Sequence, residues 1–281
     1  MLPRILRVLV LLSAGLAAAL FLVWLAQRRL LYFPDRTDFD AAERRARSLG
    51  LSPWTAGGEL YGWRSRHPAG ARGRLLVLHG NAGSALDRAW YVDAFASAVP
   101  SLPLDVYLVE YPGYGPRLGA PSEAALVGAA LAAIRAVRQD GSGPVLVAGE
   151  SLGSGVAALA AAVAPAEVDG LLLVTPMFSV PAVARRHYPF VPAFVHRDRY
   201  RADAALPRYG GRIAFLVAGQ DEVVFADLGR SLFEAYPGAK RLWWEERARH
   251  NDLDVSPGLA RWREMVEFVA SGGPRTAPDP E

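Results

Sequence analysis

The sequence predicts an α/β fold: a mostly parallel central sheet with helices on both faces. Three observations lead there. First, short apolar runs alternate with amphipathic or Ala-rich stretches along most of the 281 residues. Second, runs such as those within Arg74-Leu-Leu-Val-Leu-His79 and Pro144-Val-Leu-Val-Ala148 are apolar without alternation, the pattern of strands covered on both faces. Third, the side chains able to do chemistry follow directly after such runs: His79-Gly80-Asn81, Ser151, Asp221 and His250. In open parallel sheets, ligands bind beyond the carboxyl ends of the strands.

Taken in order, residues 8–26 form an apolar stretch whose only polar side chain is Ser13, flanked by Arg4 and Arg7 on one side and Arg28 and Arg29 on the other. At a helical rise of about 1.5 Å per residue it is close to the roughly 30 Å of a bilayer core, and Trp24 stands where an interfacial aromatic belt would lie. A cleaved signal peptide, an uncleaved anchor and a buried core helix compete here. The run is long for a signal peptide, and a cut after Ala26 would have Trp24 where a small residue is needed. The expectation is therefore a single-pass N-terminal membrane anchor over residues 1–30, with Arg on both flanks leaving the side of the following domain open. One large α/β domain follows over 31–271, and a disordered, Pro- and Gly-rich tail over 272–281.

Within the domain, residues 40–49 read as a short helix ended by Gly50, 59–66 as a strand of an early antiparallel part, and 74–79 as a buried strand. An amphipathic helix over 87–98 comes next, then a strand over 104–111. Ser122 is placed to cap a helix running to about Gln139. After the 144–148 strand, a helix is expected over 156–165. Strands follow at 171–174, 212–218 and 242–245, and a last amphipathic helix at 257–270. Residues 177–205 fall between two sheet strands and should form a small cap.

Composition narrows the function. More than half of the chain is apolar, enough for a substantial core. There is no cysteine, so disulfides, thiolate nucleophiles and Cys-ligated metals are excluded. The net charge is +3 and the positive residues are interleaved with Asp and Glu, with no basic stretch of the kind that tracks nucleic acid. No cofactor or metal is called for. The Gly-rich loop after His79 has no Lys-Ser/Thr signature of a phosphate loop.

The chemistry centres on Gly149-Glu150-Ser151-Leu152-Gly153, set between a strand and a helix. A serine at the tip of so tight a turn is pushed out above the sheet edge, and small residues two before and two after let strand and helix pass closely. The helix N-terminus favours developing negative charge. Such an alcohol needs a base to take its proton. Five histidines are present: His67, His79, His187, His196 and His250. His250 follows the last strand, in a loop able to reach the serine. His79 reads as structural, His67 as a surface residue, and His187 and His196 as parts of the cap. The imidazole in turn needs a carboxylate; Asp221 follows the 212–218 strand through a Gly, and the adjacent Glu222 is its rival. The backbone N–H groups of Asn81 and Leu152 are the natural oxyanion donors.

With these parts assembled, the sequence resembles the α/β-hydrolase superfamily, and within it the membrane-anchored Bem46-type branch with its ABHD13- and ABHD17-like serine hydrolases. The marks are His79-Gly-Asn-Ala-Gly83, Tyr111-Pro-Gly-Tyr-Gly115 with Gly119 and Pro121-Ser-Glu123, Gly149-Glu-Ser-Leu-Gly153, Gly219-Gln-Asp221 with Val224, and His250-Asn-Asp252. The resemblance spans residues 31–269 and implies an α/β-hydrolase fold with Ser151, Asp221 and His250 as a triad. Pro112, Arg117 and Val174-Thr175-Pro176 depart from the branch's pattern and bear on substrate shape.

The expected activity is hydrolysis of carboxylic ester or thioester bonds in a small-molecule or lipid acyl substrate, through a covalent acyl-enzyme. The alternatives are a non-catalytic binding or scaffold protein of the same fold, or a serine peptidase. Phe178, Tyr188 and Phe190 of the cap are the candidates for lining an acyl pocket.

Overall fold

The computed structural model describes residues 4–67 and 70–271; the tail expected over 272–281 lies outside the described residues. The chain opens with α1 (Arg4–Leu31), β1 (Phe33–Pro34), α2 (Phe39–Ser48), β2 (Ser52–Ala56), β3 (Glu59–Ser65), β4 (Gly73–Leu78) and β5 (Ala82–Gly83). The centre holds α3 (Trp90–Phe95), β6 (Leu104–Val109), α4 (Glu123–Gln139), β7 (Val145–Glu150), α5 (Leu152–Val163) and β8 (Gly170–Val174). It closes with α6 (Val180–His187), α7 (Ala202–Ala205), β9 (Arg212–Ala218), α8 (Ala226–Ala235), β10 (Lys240–Glu245) and α9 (Ala260–Ala270).

Eight strands form the main sheet in the order β10-β9-β8-β7-β4-β6-β3-β2. β3 runs antiparallel to β2 and β6, and every other pairing is parallel. The early strands thus make an antiparallel edge on a parallel sheet. Pro53 sits in β2, an edge strand, where a residue without an N–H is tolerated.

Two apolar clusters cover the two faces, and the period-2 geometry of a strand sorts residues between them. Leu76, Leu78, Val147, Leu171, Leu173, Ile213 and Phe215 pack with α4 and α5. Their neighbours Leu75, Val77, Leu146, Ala148, Leu172, Val174, Ala214 and Leu216 pack with Tyr91 and Phe95 of α3 and with Trp262, Met265, Val266 and Val269 of α9. The uniformly apolar runs are therefore strands buried on both sides, as their composition predicts.

Two expected helices have other bounds, and three further elements were missed. The expected helix over 87–98 starts as a 3-10 turn, Ala85–Arg88, and α3 ends at Phe95. The Asp87 carboxylate reaches back to the Ser84 N–H at 2.7 Å and tightens that turn. α5 starts at Leu152 rather than Val156, because the backbone turns in one residue at Ser151. β2, α6 and α8 were not resolved by periodicity.

α1 is mostly exposed along its length; Leu6–Leu31 is a 26-residue apolar stretch long enough to cross a bilayer. Its last turns are not free. β1 pairs in parallel with β5, Phe33 opposite Ala82 and Pro34 opposite Gly83, so the exit from α1 is sewn to the loop after β4.

Candidate active site

Ser151 sits between β7 and α5 with φ 53° and ψ −118°, a conformation that L-residues rarely adopt. The surroundings enforce it. A Cβ at Gly149 would lie 2.5 Å from Gly153 O and 2.7 Å from Ser154 Cα, and a Cβ at Gly153 would lie 2.1 Å from Leu78 O and 2.5 Å from His79 O. Both positions exclude any side chain, so strand, turn and helix can pass at backbone contact. The Ser151 N–H donates to Val174 O at 3.0 Å. Fully buried Ser154 donates its hydroxyl to Ser151 O at 2.5 Å and accepts from Met177 N at 2.8 Å, tying the turn to the exit of β8.

The structure brings His250 and Asp221 to this serine. His250 Nε2 lies 3.0 Å from Ser151 Oγ, and His250 Nδ1 lies 2.7 Å from Asp221 Oδ2. The other carboxylate oxygen of Asp221 accepts from Val223 N and Val224 N, each at 2.9 Å, which fixes the plane of the acid. The loops after β9 and β10 hold one another: Gly219 N donates to Glu245 O at 2.8 Å and Gln220 N to Ala248 O at 2.9 Å. Glu222, the rival acid, points away and pairs with Arg249 at 2.9 Å on the exposed surface. Ser151 and Asp221 are both buried, at 8% and 6% exposure. The geometry is that of an alcohol whose proton can pass to Nε2 while a carboxylate orders Nδ1–H.

Leu152 follows the serine as the first residue of α5, and Asn81 follows Gly80, where a Cβ would lie 3.6 Å from Ser151 Cβ. The Asn81 carbonyl accepts from Phe33 N at 2.9 Å and from the Tyr114 hydroxyl at 2.8 Å, and its side-chain amide donates to Leu31 O at 2.9 Å. Tyr111 donates to His79 O at 3.2 Å. The Tyr111-Pro-Gly-Tyr-Gly115 motif thus holds the loop after β4. His79 is buried at 1% exposure, with its Nδ1 2.8 Å from Gly80 O and its ring packed 4.2 Å from Tyr111. It shapes this loop and does not face the serine's partner. His67 contacts Ser97 Oγ at 3.1 Å, His187 contacts Val223 O at 2.8 Å, and His196 contacts Ala193 O at 3.1 Å.

A cavity of about 250 Å³ opens beside the site, lined by Arg88, Trp90, Glu150, Thr175, His250 and Asn251 among others. Two of its features escaped the sequence reading. Arg88 grips Glu150, the residue before the serine, through Nε and Nη2 at 2.8–3.0 Å. Burial pulls the guanidinium pKa down, but the Glu150 charge and hydrogen bond, with smaller contributions from Tyr91 and Asp87, together outweigh it and hold the pKa above its ordinary value. An acid in the second position of the Gly-x-Ser-x-Gly motif was the available signal. Thr175, at φ 43°, has a buried Oγ1 with no hydrogen-bond partner among the described residues. Phe178, Tyr188 and Phe190 do not line this cavity. Phe178 is half-buried against the cluster that includes α5, Tyr188 borders a separate groove beside α1, and Phe190 is 92% exposed. Among the described residues, no group of three or more His, Asp or Glu side chains is arranged to hold a metal.

Residues 75–278 match the model of the alpha/beta hydrolase family. An uncharacterized protein of Mycobacterium tuberculosis, Rv2307c, is 31% identical over 274 residues, covering 95% of each chain. The alpha/beta hydrolase domain-containing protein 17C of Xenopus laevis is 26% identical over 234 residues, covering 80% of this chain and 71% of that protein. Among solved structures, the monoacylglycerol lipase of Paleococcus ferrophilus superposes with a TM-score of 0.56 at 19% identity, over 75% of this chain and 98% of that one.

Proposed function

The chain belongs to the alpha/beta hydrolase family, and from that premise we propose that it is a serine hydrolase acting on carboxylic ester or thioester bonds, tethered to a membrane by α1. The observation that carries the reading is the unbroken Ser151–His250–Asp221 contact chain, with distances of 3.0 and 2.7 Å. In this reading Ser151 Oγ attacks the acyl carbon while His250 Nε2 takes its proton, and Asp221 accepts from Nδ1–H and stabilises the imidazolium. The tetrahedral oxyanion takes the N–H groups of Asn81 and Leu152, at the N-terminus of α5. The leaving group departs with the proton from His250. Water, deprotonated by the same imidazole, then releases the acid.

The tether reading is supported by the 26-residue apolar helix and by the docking of its last turns onto the domain through Gln27 and Arg28. A signal sequence would share the composition but would gain nothing from that docking.

Purified full-length protein treated with a fluorophosphonate should be labelled at Ser151. Ser151→Ala should lose the label and lower kcat on a short acyl ester by about 10⁴- to 10⁶-fold. Equal turnover by wild type and Ser151→Ala would falsify the assignment. Comparing an ester with its matched amide separates esterase from peptidase action.

A further inference from the structure

We propose that the groove between α1 and the segment linking β8 to β9 is the acyl-chain site, and that it takes one long acyl chain of a membrane lipid, with the tether helix itself as one wall. This rests on the serine-hydrolase reading above and adds the substrate class.

The groove holds about 430 Å³, within the range of small-molecule sites. Val23, Leu30 and Leu31 of the tether face Val180, Ala184 and Val191 across it. Such a lining offers an unbranched hydrocarbon apolar contact along its length, and gives a polar or peptide ligand few partners.

The wall is held in place, not leaning by chance. Gln27 donates to Val195 O at 3.1 Å and accepts from Arg197 N at 2.7 Å. Arg28 forks onto Asp198 at 2.8 and 3.0 Å, and the Tyr32 hydroxyl joins the same carboxylate at 3.0 Å. Asp198 is 3% exposed. A buried charge with three side-chain hydrogen bonds fixes the helix against the segment far better than apolar contact alone.

One end of the groove reaches the candidate oxyanion loop. Leu31 lines the groove, and its carbonyl accepts from the Asn81 side chain at 2.9 Å. Val180 on the opposite wall belongs to the apolar cluster that contains Leu152, with Leu31 packed against it. The groove and the cavity beside Ser151 share no lining residue, so the link between them runs through Leu31 and the Asn81 loop, and in this proposal the acyl chain leaves the oxyanion loop on that side. The other end runs onto α1, where Leu16, Leu22 and Leu25 are exposed. A chain leaving a bilayer along that surface would stay in apolar surroundings until it entered the groove. No water-soluble short-chain substrate needs such a route.

The test compares p-nitrophenyl butyrate with p-nitrophenyl palmitate on full-length protein in detergent micelles. Ala184→Trp and Val23→Trp fill the groove from its two walls. Each should lower kcat/KM on palmitate at least tenfold while butyrate stays within about twofold. Val23 lies on the tether, outside the sheet and its covering helices, so its variant reports on the groove even if Ala184→Trp disturbs folding. If the palmitate-to-butyrate ratio is unchanged in Val23→Trp while the fluorophosphonate still labels Ser151, the groove is not the acyl site and the serine-hydrolase reading stands. If wild type turns over neither ester and Ser151 is unlabelled, that reading falls and takes this one with it.

Discussion

At the residue scale, the serine turn is set by what its neighbours lack. Gly153 has two backbone carbonyls, Leu78 O and His79 O, where a Cβ would stand. Backbone at both contacts cannot rotate away, unlike the end of a flexible side chain. Gly153→Ala should therefore cost about 3 kcal/mol, the upper part of the overpacking range, read by urea unfolding, and should reduce ester turnover by shifting the turn. A stability equal to wild type would show that the loop after β4 can move aside. This requirement is legible in the sequence as the spacing of Gly149, Ser151 and Gly153. The acid is favoured through the resemblance, whose Gly-x-Asp-x-x-Val spacing Val224 completes; in the structure Asp221 meets His250 at 2.7 Å while Glu222 turns outward to Arg249. Arg88 is not legible in this way. Its partner Glu150 is 62 residues distant, and an Arg on an amphipathic stretch reads as a solvated one.

At the element scale, the parallel strands declared themselves because burial on both faces removes polar residues from the run, and Ser122 marked the start of α4, where its hydroxyl accepts from Ala125 N at 3.1 Å. The elements that stayed hidden lack such signals. α8 has no side-chain cap and starts after Phe225, which sits at φ 67°. β2 is a five-residue edge strand interrupted by Pro53. The 3-10 turn before α3 depends on Asp87. Burial raises that carboxyl, but hydrogen bonds from Arg45 and from Ser84 N–H, with the nearby Arg88 charge, outweigh it and hold the pKa below its ordinary value. A depressed carboxyl contributes stability that is present above the unfolded value of about 3.9 and is lost as pH falls through the lower folded value. Asp87→Asn should destabilise the protein at neutral pH by about 1 kcal/mol, as loss of a cap does. Its deficit should shrink below about pH 3.9, where wild type also becomes protonated. Denaturant midpoints taken at pH 7 and pH 3 measure both effects, and a deficit that stays constant between them would remove the charge from the explanation.

At the scale of the whole molecule, the apolar N-terminal run declares its length and polarity but not its docking. Arg28 finds Asp198 across 170 residues, and nothing local to either residue announces the pair. The carboxylate gathers Arg28, Tyr32 and the first N–H of α4, at Glu123, so it joins α1, the β8–β9 segment and the sheet-covering helices at one point. Asp198 is buried while Arg28 keeps 37% of its side chain exposed, so the guanidinium retains part of its hydration and the pair loses less to desolvation than a fully buried one would. Its contribution should then exceed that of an exposed pair such as Arg241–Glu264, where both side chains are more than a third exposed. A double-mutant cycle with Arg28→Ala, Asp198→Asn and the double variant should give a coupling of about 1–2 kcal/mol by urea unfolding of the full chain in detergent. The same cycle on Arg241 and Glu264 should give less than about 0.5 kcal/mol. Equal couplings would mean that Arg28–Asp198 adds no more than an exposed pair, leaving Gln27 and apolar contact to hold the Val23 stretch of α1 against the domain.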